Sequence, residues 1–377
     1  MSLSSKSLNI KSSEIRLLRL PLISTFTTGF GSISYKETIL LKLVGGNGVC
    51  GWGEGAALPF PNYSPETTQT TLLGLKEYIL PLLLNKSFMN PEEVYNTLSC
   101  IKGFNFAKAA VDCAFWMMFS TINQTSISRS LGGVWEKVGI GESVGIKKSF
   151  EETANEINLR LEQGYQRIKI KIKPGWDIKL IEFIRNKFGN IKLIVDGNSS
   201  YTLRDLEVLK ILDKFHLLMI EQPLGDTDLI DHATLQKQIK TPICLDESIL
   251  SAEDARRAVE NGACKIINIK TGRVGGITEG KKIHDYCKQN NVGVWCGGLL
   301  ESGIGRAFNI ALASLPGFVY PADMSPYSIF YKEDLIEPSY EVDQEGFIKV
   351  PDKPGLGYNL DNKRINKYTQ YKFCFQS

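Results

Sequence analysis

Five residues of the types used in proton transfer and metal binding recur at a nearly constant interval in the second half of the chain. They are Lys171, Asp196, Glu221, Asp246 and Lys270, separated by 25, 25, 25 and 24 residues. Three converging carboxylates repel one another unless a divalent cation neutralises them. Hard oxygen ligands suit Mg²⁺, with Mn²⁺ as a substitute. A lysine on each side of such a site could remove and return a proton beside a substrate carboxylate.

The segment around the first lysine alternates basic and apolar side chains from Arg167 to Lys173. Residues at i and i+2 share one face of a strand, so Lys169 and Lys171 point the same way. We expect this face to lie inside a barrel, where Lys169 lowers the pKa of Lys171 by like-charge repulsion and leaves a usable amine base. A solvated edge strand is the structural alternative.

The elements that must position these residues alternate between strands and helices. Short runs that read as strands occur at 141–145, 168–172, 191–195, 217–220, 242–245, 265–269, 292–295 and 317–320. Eight consecutive βα units predict a TIM-type (β/α) barrel, in which the five residues share one height at the catalytic, C-terminal face. A doubly wound sheet is the alternative.

The sequence outside the repeat predicts two further parts. Residues 1–135 read as an α+β domain, with strands at 14–21, 38–44 and 49–54 and helices starting near Ser64, Asn90 and Asn105. Residues 136–330 are expected to form the barrel, and the tail 331–377 is expected to pack back on the first domain.

Composition narrows the class of protein. The 44 basic and 41 acidic residues nearly cancel, which argues against a strongly basic nucleic-acid binder. No run of about 18 apolar residues predicts a membrane span. Eight scattered cysteines, with no C-x-x-C pair and no N-terminal signal before them, indicate buried reduced thiols and a cytoplasmic location. Only three histidines occur, which argues against a histidine-rich metal site.

These residues resemble the enolase superfamily, in its muconate-lactonizing branch. In that resemblance Asp196, Glu221 and Asp246 look like the metal ligands, and Lys171 and Lys270 like the acid/base pair. Three strings are similar, within the branch, to the o-succinylbenzoate synthase / N-succinylamino acid racemase group: K-I-K-P-G-W-D at 171–177, N-I-K-T-G-R-V-G-G at 268–276 and W-C-G-G-L-L-E-S-G at 295–303. Gly197 departs from the group, which more often has alanine there.

The resemblance implies a metal-dependent enzyme that acts on a small carboxylate and forms a homo-oligomer. The implied reaction is syn dehydration of 2-succinyl-6-hydroxy-2,4-cyclohexadiene-1-carboxylate to o-succinylbenzoate, in menaquinone biosynthesis. Lys171 would move the proton and Lys270 would stabilise the enediolate. Racemisation of N-succinylamino acids by the same lysines stays open, and muconate cycloisomerisation is a weaker alternative.

The resemblance also implies that the α+β part, residues 1–135, is a capping domain completed by the tail, and that its glycine-containing loops at 27–32 and 53–56 close over the barrel mouth.

Substrate-binding or supporting residues are a further implication of the resemblance. Ser143 resembles a substrate contact, Arg273 an arginine associated with racemase-competent members, and Glu301 is expected to hydrogen-bond near Lys270. An ordinary structural role is the alternative for each, and for Arg273 a place on the surface. The complete set is Lys169, Asn198, Ser143, Arg273, Gly297, Leu299 and Glu301.

Other classes of protein leave weaker signals. Residues 141–145 match the G-x-S-x-G elbow of serine hydrolases, which also needs an acid and a downstream histidine. Mandelate-racemase-like members carry a histidine after the seventh strand, and 295–301 has none. Dipeptide epimerases carry Asp-x-Asp after the eighth strand, and only Asp323 is present. Retention of all five ladder residues argues against a catalytically inactive binding module.

Overall fold

The capping part of the molecule is an antiparallel sheet covered by helices. The computed structural model describes residues 7–28 and 31–376. The first elements are β1 (Leu8–Thr28), β2 (Gly31–Gly45), β3 (Cys50–Gly55), α1 (Thr68–Leu73), α2 (Leu80–Leu83), β4 (Ser87–Phe88), α3 (Pro91–Leu98), α4 (Asn105–Ile122), α5 (Ile127–Leu131) and β5 (Lys137–Gly139), with a π-helical turn, Gly74–Ile79, between α1 and α2. The predicted closing loop at 27–32 includes Gly29 and Phe30, which lie outside the described residues.

Two predicted helix starts have different outcomes. The start near Ser64 was wrong, because Thr67 caps α1: its side chain accepts from the Thr70 amide, and the Thr70 side chain accepts from the Thr67 amide. This reciprocal pair satisfies two free N–H groups at once. The start at Asn90 is confirmed, since its side chain accepts from the Glu93 amide at 3.0 Å.

Helix α4 packs directly on β3 because that strand has glycine where the two meet. A Cβ on Gly51 would lie 2.0 Å from the Ala114 carbonyl oxygen, and one on Gly53 would lie 1.9 Å from that of Ala110. No larger residue fits this contact. The close approach fixes the end of β3, which points toward the barrel.

The second part of the chain is a curled sheet of seven parallel strands with helices outside. Its elements are β6 (Glu142–Val144), α6 (Phe150–Glu162), β7 (Ile168–Lys171), α7 (Ile178–Phe188), β8 (Leu193–Asp196), α8 (Leu206–Ile211), β9 (Met219–Glu221), α9 (Ile230–Gln238), β10 (Ile243–Leu245), α10 (Ala252–Glu260), β11 (Ile266–Ile269), α11 (Thr271–Val274), α12 (Ile277–Gln289), β12 (Gly293–Cys296) and α13 (Gly303–Ala313). The strands pair in chain order from β6 to β12. Two 3₁₀ turns, Leu203–Asp205 and Leu212–Phe215, flank α8.

The predicted eighth strand closes the sheet without forming a regular strand. Phe318 makes a parallel bridge to Val294 of β12, and Ala322 makes one to Ile140 just before β6. The Asp323 amide also donates to the Cys296 carbonyl at 3.0 Å. The segment thus joins the two edges, and the predicted TIM-type barrel is confirmed.

The barrel interior is apolar in its middle and polar at the C-terminal ends of the strands. Five buried side chains form a floor: Ile194, Met219, Cys244, Ile266 and Trp295. Two residues further along β8, β9 and the β10 end, on the same face, come Asp196, Glu221 and Asp246. The strand period therefore places the carboxylates directly above the apolar floor.

The tail returns to the capping sheet, as predicted. Its elements are α14 (Tyr327–Phe330), β13 (Ile336–Glu337), β14 (Phe347–Lys349), β15 (Asn359–Leu360), α15 (Asn362–Tyr368) and β16 (Thr369–Gln376). Strand β16 pairs antiparallel with β1, and β14 pairs with β5. The domain boundaries at 135/136 and 330/331 stay predictions.

Two predictions from composition can be compared with the structure. Across residues 7–28 and 31–376, no helix has the length and apolar character needed to cross a membrane. All eight cysteines are free, and five of them are buried. The expectation of buried thiols was wrong for Cys100 and Cys374, which are exposed because they lie just after α3 and on the edge strand β16.

Candidate active site

The five ladder residues meet at the C-terminal end of the barrel strands. Lys171, Asp196 and Glu221 are the last residues of β7, β8 and β9 and are direct neighbours in the sheet register. Asp246 and Lys270 each come one residue after their strands, β10 and β11. The interval of about 25 residues therefore corresponds to one βα unit, as the sequence predicts.

The two lysines approach from opposite sides of this end of the barrel. Strand β7 is the second and β11 the sixth of eight positions around the barrel, which puts half a turn between Lys171 and Lys270. Lys171 Nζ lies 2.6 Å from Asp196 Oδ2, and Lys270 Nζ lies 2.7 Å from Asp246 Oδ2. Each amine is thus held by a carboxylate of the ring between them.

One cavity at the barrel mouth, here called the mouth cavity, reaches both lysines. Four of the predicted supporting residues also line it: Ser143, Lys169, Asn198 and Leu299. The other three, Arg273, Gly297 and Glu301, do not line the cavity, but each of them contacts a residue that does. Any group that binds between Lys171 and Lys270 must enter this cavity.

Lys169 lies below the ring and is surrounded by acids. Its Nζ is 3.0 Å from Glu221 Oε2, 2.8 Å from Asp323 Oδ2 and 3.5 Å from Asp196 Oδ2. Burial lowers the pKa of Lys169, but these carboxylates raise it more, so the net shift is upward. The alternative of a solvated edge strand is excluded, because Lys169 is 3% exposed. Its predicted effect on the pKa of Lys171 stays a prediction.

The three ring carboxylates are fully buried and electrostatically coupled. Burial and the charge of Asp196 raise the pKa of Glu221 to about 7. Burial also acts to raise the pKa of Asp246, but Lys270 and Arg273 bring it below its usual value. Glu221 therefore bears the repulsion within the ring and takes up a proton more readily than a free carboxylate, and a bound cation would relieve that repulsion.

The donor chemistry of this ring fits a hard divalent cation. As the side chains stand, no three His, Cys, Asp or Glu residues in the described ranges converge tightly enough to hold a metal, since Asp196 and Asp246 are drawn to the lysines. Beside them, Asn198 Oδ1 and Glu247 Oε2 are buried oxygens without a hydrogen-bond partner. The metal-ligand assignment of Asp196, Glu221 and Asp246 stays a prediction.

Asn198 and Glu247 support the ring from the adjoining loops. The Asn198 amide donates to Asp196 Oδ1 at 2.9 Å, and its side chain donates to Glu247 Oε1 at 3.0 Å. Burial, together with the charges of Asp246 and Asp196, raises the pKa of Glu247 to about 8. Sequence reasoning missed Glu247, although it directly follows Asp246.

Gly297 makes room for the second lysine. A Cβ at this position would lie 2.5 Å from Asn268 Oδ1 and 2.7 Å from Lys270 Cε. Asn268 in turn donates to Glu221 Oε1 at 2.8 Å. Gly297 therefore acts on the site through the packing of Asn268 and Lys270.

Arg273 is buried behind the ring, which excludes the alternative of a surface arginine. It is 1% exposed, contacts Asp246 Oδ1 through Nη1, and donates from Nε to the Ile249 carbonyl at 2.8 Å. Its guanidinium therefore neutralises Asp246 from the side away from Lys270 and fixes that carboxylate.

Tyr63 brings the capping domain into the site, and sequence reasoning missed it. Its hydroxyl donates to Asp246 Oδ1 at 2.9 Å, and its ring centre lies 4.6 Å from Lys270 Nζ. Tyr63 sits in the proline-punctuated loop before α1, and no motif there indicates a role. Only the assembled fold brings it to the barrel.

Glu301 supports the site at one remove from Lys270. Its Oε2 accepts from the Leu299 amide at 2.8 Å, and its Oε1 accepts from the Asn309 side chain at 3.0 Å. Asn309 in turn accepts from Thr271, the residue after Lys270, at 2.6 Å. The expected link to the second lysine thus runs through Asn309 and Thr271.

The predicted loop at 53–56 is a fixed contact between the two domains. Residues 53–55 belong to β3, and the Glu54 carboxylate accepts from Ser302 Oγ at 2.6 Å and from the Gly305 amide at 2.9 Å. The expectation of a closing loop here was wrong, because these bonds anchor β3 to the start of α13.

The histidines do not belong to the site. His232 Nε2 accepts from the Leu224 amide at 3.2 Å, and His284 Nε2 accepts from the Gly317 amide at 3.0 Å. Within the described part of the chain, no hydrogen bond joins Ser143 to a histidine. The serine-hydrolase alternative therefore has no geometric support.

The fold is a barrel covered by a capping domain, and the barrel mouth holds two opposed lysines and three carboxylates. These features define the class of protein as a capped-barrel enzyme that catalyses proton transfer. Residues 14–132 match the mandelate racemase / muconate lactonizing enzyme N-terminal domain, and residues 152–364 match the enolase C-terminal domain-like family. The chain belongs to the enolase superfamily, whose members generally use a divalent metal.

Individual relatives cover nearly the whole chain. An o-succinylbenzoate synthase of Geobacillus kaustophilus is 45% identical over 98% of both chains. An N-succinylamino acid racemase of Thermus thermophilus is 40% identical over 97% of this chain and 98% of that one. A solved structure of an enolase superfamily member from Listeria innocua has a TM-score of 0.95 at 40% identity, over 98% of this chain and 99% of that one.

Proposed function

We propose that the chain is an o-succinylbenzoate synthase, which catalyses the syn dehydration of 2-succinyl-6-hydroxy-2,4-cyclohexadiene-1-carboxylate. The observation that carries the proposal is the approach of Lys171 and Lys270 to one cavity from opposite sides of a carboxylate ring. The relatives of that name, at 40–45% identity over nearly the full length, support the choice of substrate.

The proposed reaction removes a proton next to the ring carboxylate of the substrate and a hydroxyl from the neighbouring carbon. The Lys171 amine takes the proton, and the electron pair of the C–H bond moves into the carboxylate to give an enediolate. The Lys171 ammonium then returns the proton to the departing hydroxyl on the same face. Water leaves and the ring becomes aromatic.

Lys270 acts from the other face in this proposal. Its ammonium is held by Asp246 at 2.7 Å, and Asp246 and other nearby acids raise its pKa well above the usual value although burial opposes them. A charged ammonium at this position stabilises the negative charge of the enediolate. The Tyr63 ring covers Lys270 and limits its contact with water.

We propose Mg²⁺, with Mn²⁺ as a substitute, as the cation of the site. Asp196, Glu221 and Asp246 would hold it, because carboxylate oxygens are the ligands this ion prefers. When bound, it supplies Lewis-acid stabilisation of the substrate carboxylate. Its binding can be measured by calorimetry, with Glu221→Gln as the variant expected to lose it.

Racemisation of N-succinylamino acids is the second candidate, favoured by the buried contact of Arg273 with Asp246 beside Lys270. In that reaction one lysine removes the α-proton and the other delivers a proton to the opposite face. Muconate cycloisomerisation has no comparable observation in its favour.

The proposal extends to the setting of the enzyme. We place it in the cytoplasm as a homo-oligomer that supplies menaquinone biosynthesis. The eight free cysteines agree with a reducing compartment. Sedimentation would test the oligomeric state, and menaquinone genes beside the coding sequence would favour the synthase.

The kcat/KM values for the cyclohexadiene carboxylate and for N-succinyl-phenylalanine, measured on one metal-loaded preparation, test the proposal. We expect dehydration to exceed racemisation by at least about tenfold, a difference of 1.4 kcal/mol in transition-state stabilisation. Racemisation without dehydration would refute the synthase and support the second candidate.

A further inference from the structure

Arg306 differs from the other buried arginines of the described residues. Three arginines are buried there, Arg167, Arg273 and Arg306. Arg167 pairs with Asp323 at 2.8 Å, and Arg273 pairs with Asp246. Within the described ranges, no carboxylate oxygen lies within 4.0 Å of the Arg306 guanidinium. Its charge is therefore the exception among the three.

The contacts of Arg306 hold it in place without neutralising it. Nε donates to the Glu301 carbonyl at 3.0 Å, and Nη1 donates to the Tyr340 hydroxyl at 3.1 Å. The guanidinium carbon lies 5.3 Å from the centre of the Phe330 ring. Both hydrogen-bonding acceptors are neutral, and the acids Glu301 and Asp334 act on the guanidinium only from beyond ion-pair distance. A side chain that is 3% exposed thus keeps a charge without a direct ion pair, which is costly in a protein interior.

This guanidinium lines the mouth cavity together with the two lysines. The cavity thus has one cationic group on the α13 side in addition to the lysine–carboxylate ring. An arginine fork binds a carboxylate through two parallel hydrogen bonds. The structure therefore offers a second place for a carboxylate in the same cavity.

Glu142 is an acid on which the charge of Arg306 acts. It also lines the cavity, and Ser325 donates a hydrogen bond to its carboxylate. Burial raises the pKa of Glu142 to about 7, so this carboxylate is protonated more readily than a free one. A ligand carboxylate beside Arg306 meets correspondingly less repulsion.

We propose that Arg306 binds the distal carboxylate of the succinyl chain and selects dicarboxylate over monocarboxylate substrates. The inference rests on the proposed function, which supplies a substrate with two carboxylates. One carboxylate lies at the lysine ring and the other at Arg306, so the chain between them spans the cavity.

The test compares two ligands of the metal-loaded protein. The first is o-succinylbenzoate, and the second is 2-butanoylbenzoate, which has a methyl group in place of the distal carboxylate. We expect the wild-type protein to bind the first at least about tenfold more tightly, the size of a charge-assisted hydrogen bond. Arg306→Met should weaken o-succinylbenzoate by about 10- to 100-fold and leave 2-butanoylbenzoate within about threefold.

Tyr340→Phe is the matched comparison, because it removes one contact that holds Arg306 but keeps the charge. It should weaken o-succinylbenzoate less than Arg306→Met does and leave 2-butanoylbenzoate within about threefold of wild type. Equal weakening of both ligands by Arg306→Met would show a structural role and overturn the proposal. Equal affinity of the wild-type protein for both ligands would overturn it without any variant, even if Arg306→Met does not fold. Failure to dehydrate the cyclohexadiene substrate would instead refute the proposed function.

Discussion

Replacing Gly297 by alanine tests how tightly the second lysine is positioned. The new methyl group would lie 2.5 Å from Asn268 Oδ1 and 2.7 Å from Lys270 Cε, whereas ordinary contact begins at 3.4 Å. Asn268 must therefore retreat by 0.9 Å and Lys270 by 0.7 Å. Gly297 does not have a positive φ, so the penalty arises from these two side chains and not from the backbone.

A displacement of about 1 Å from the reactive geometry costs on the order of 10²-fold in rate. We expect Gly297→Ala to lower kcat for dehydration by about 10²-fold, with the fold intact by circular dichroism. In D₂O, exchange of the α-proton should slow more for the enantiomer of an N-succinylamino acid that faces Lys270 than for the one that faces Lys171.

Gly280→Ala is the control for inserting a methyl group into the buried barrel wall. Its Cβ would lie 3.0 Å from Leu312 Cδ2, the end of a side chain that can adjust, and alanine favours the helix. It should keep wild-type activity. Gly297→Ala with kcat within about threefold of wild type, or with equal slowing of exchange for both enantiomers, would refute this reasoning about Lys270.

Three further substitutions test separate parts of the account. Tyr63→Phe loses one hydrogen bond to Asp246 and should lower kcat by up to about tenfold, whereas Tyr63→Ala also uncovers Lys270 and should lower it further; equal kcat values for the two variants would contradict the role of the ring. Asp112 lies in α4 and accepts from the Thr278 amide at 3.0 Å. Burial raises the pKa of Asp112 from 3.8 to about 7, so its contribution to stability is complete below about pH 4 and is lost as the pH rises through about 7, by about 4 kcal/mol. Asp112→Asn should flatten the pH dependence of the free energy of unfolding in that window, and an unchanged slope in chemical denaturation would contradict this. Ser143→Ala should keep activity within about tenfold of wild type, and chelation should abolish that activity. A wild-type activity that survives chelation and disappears in Ser143→Ala would favour a hydrolase.

The ladder could be predicted from the sequence because two periods determine it. One βα unit of about 25 residues sets the height of each residue at the barrel mouth, and the two-residue period of a strand sets which side chains face inward. Lys171, Asp196 and Glu221 follow both periods and are neighbours in the register. Short-range regularity was sufficient for this part of the site.

The remaining parts depend on contacts between distant elements. Tyr63 reaches Asp246 across 183 residues of sequence, and neither segment carries a pattern that refers to the other. Arg306 had a usable signal, as the one charged residue of helix α13, but its cavity appears only after the barrel is assembled. The wrong helix start at Ser64 arose because two capping residues compete locally, and the reciprocal bonds of Thr67 prevail.

The proposed function assigns proton transfer to Lys171 and stabilisation of the enediolate to Lys270, in a metal-dependent reaction on a carboxylate substrate. The most direct measurement is the formation of o-succinylbenzoate from 2-succinyl-6-hydroxy-2,4-cyclohexadiene-1-carboxylate by the wild-type protein, by Lys171→Ala and by Lys270→Ala, each with Mg²⁺ and after chelation. We expect turnover only in the wild-type protein with metal, with both variants folded and inactive. Turnover that survives chelation, or full activity in either variant, would contradict this assignment.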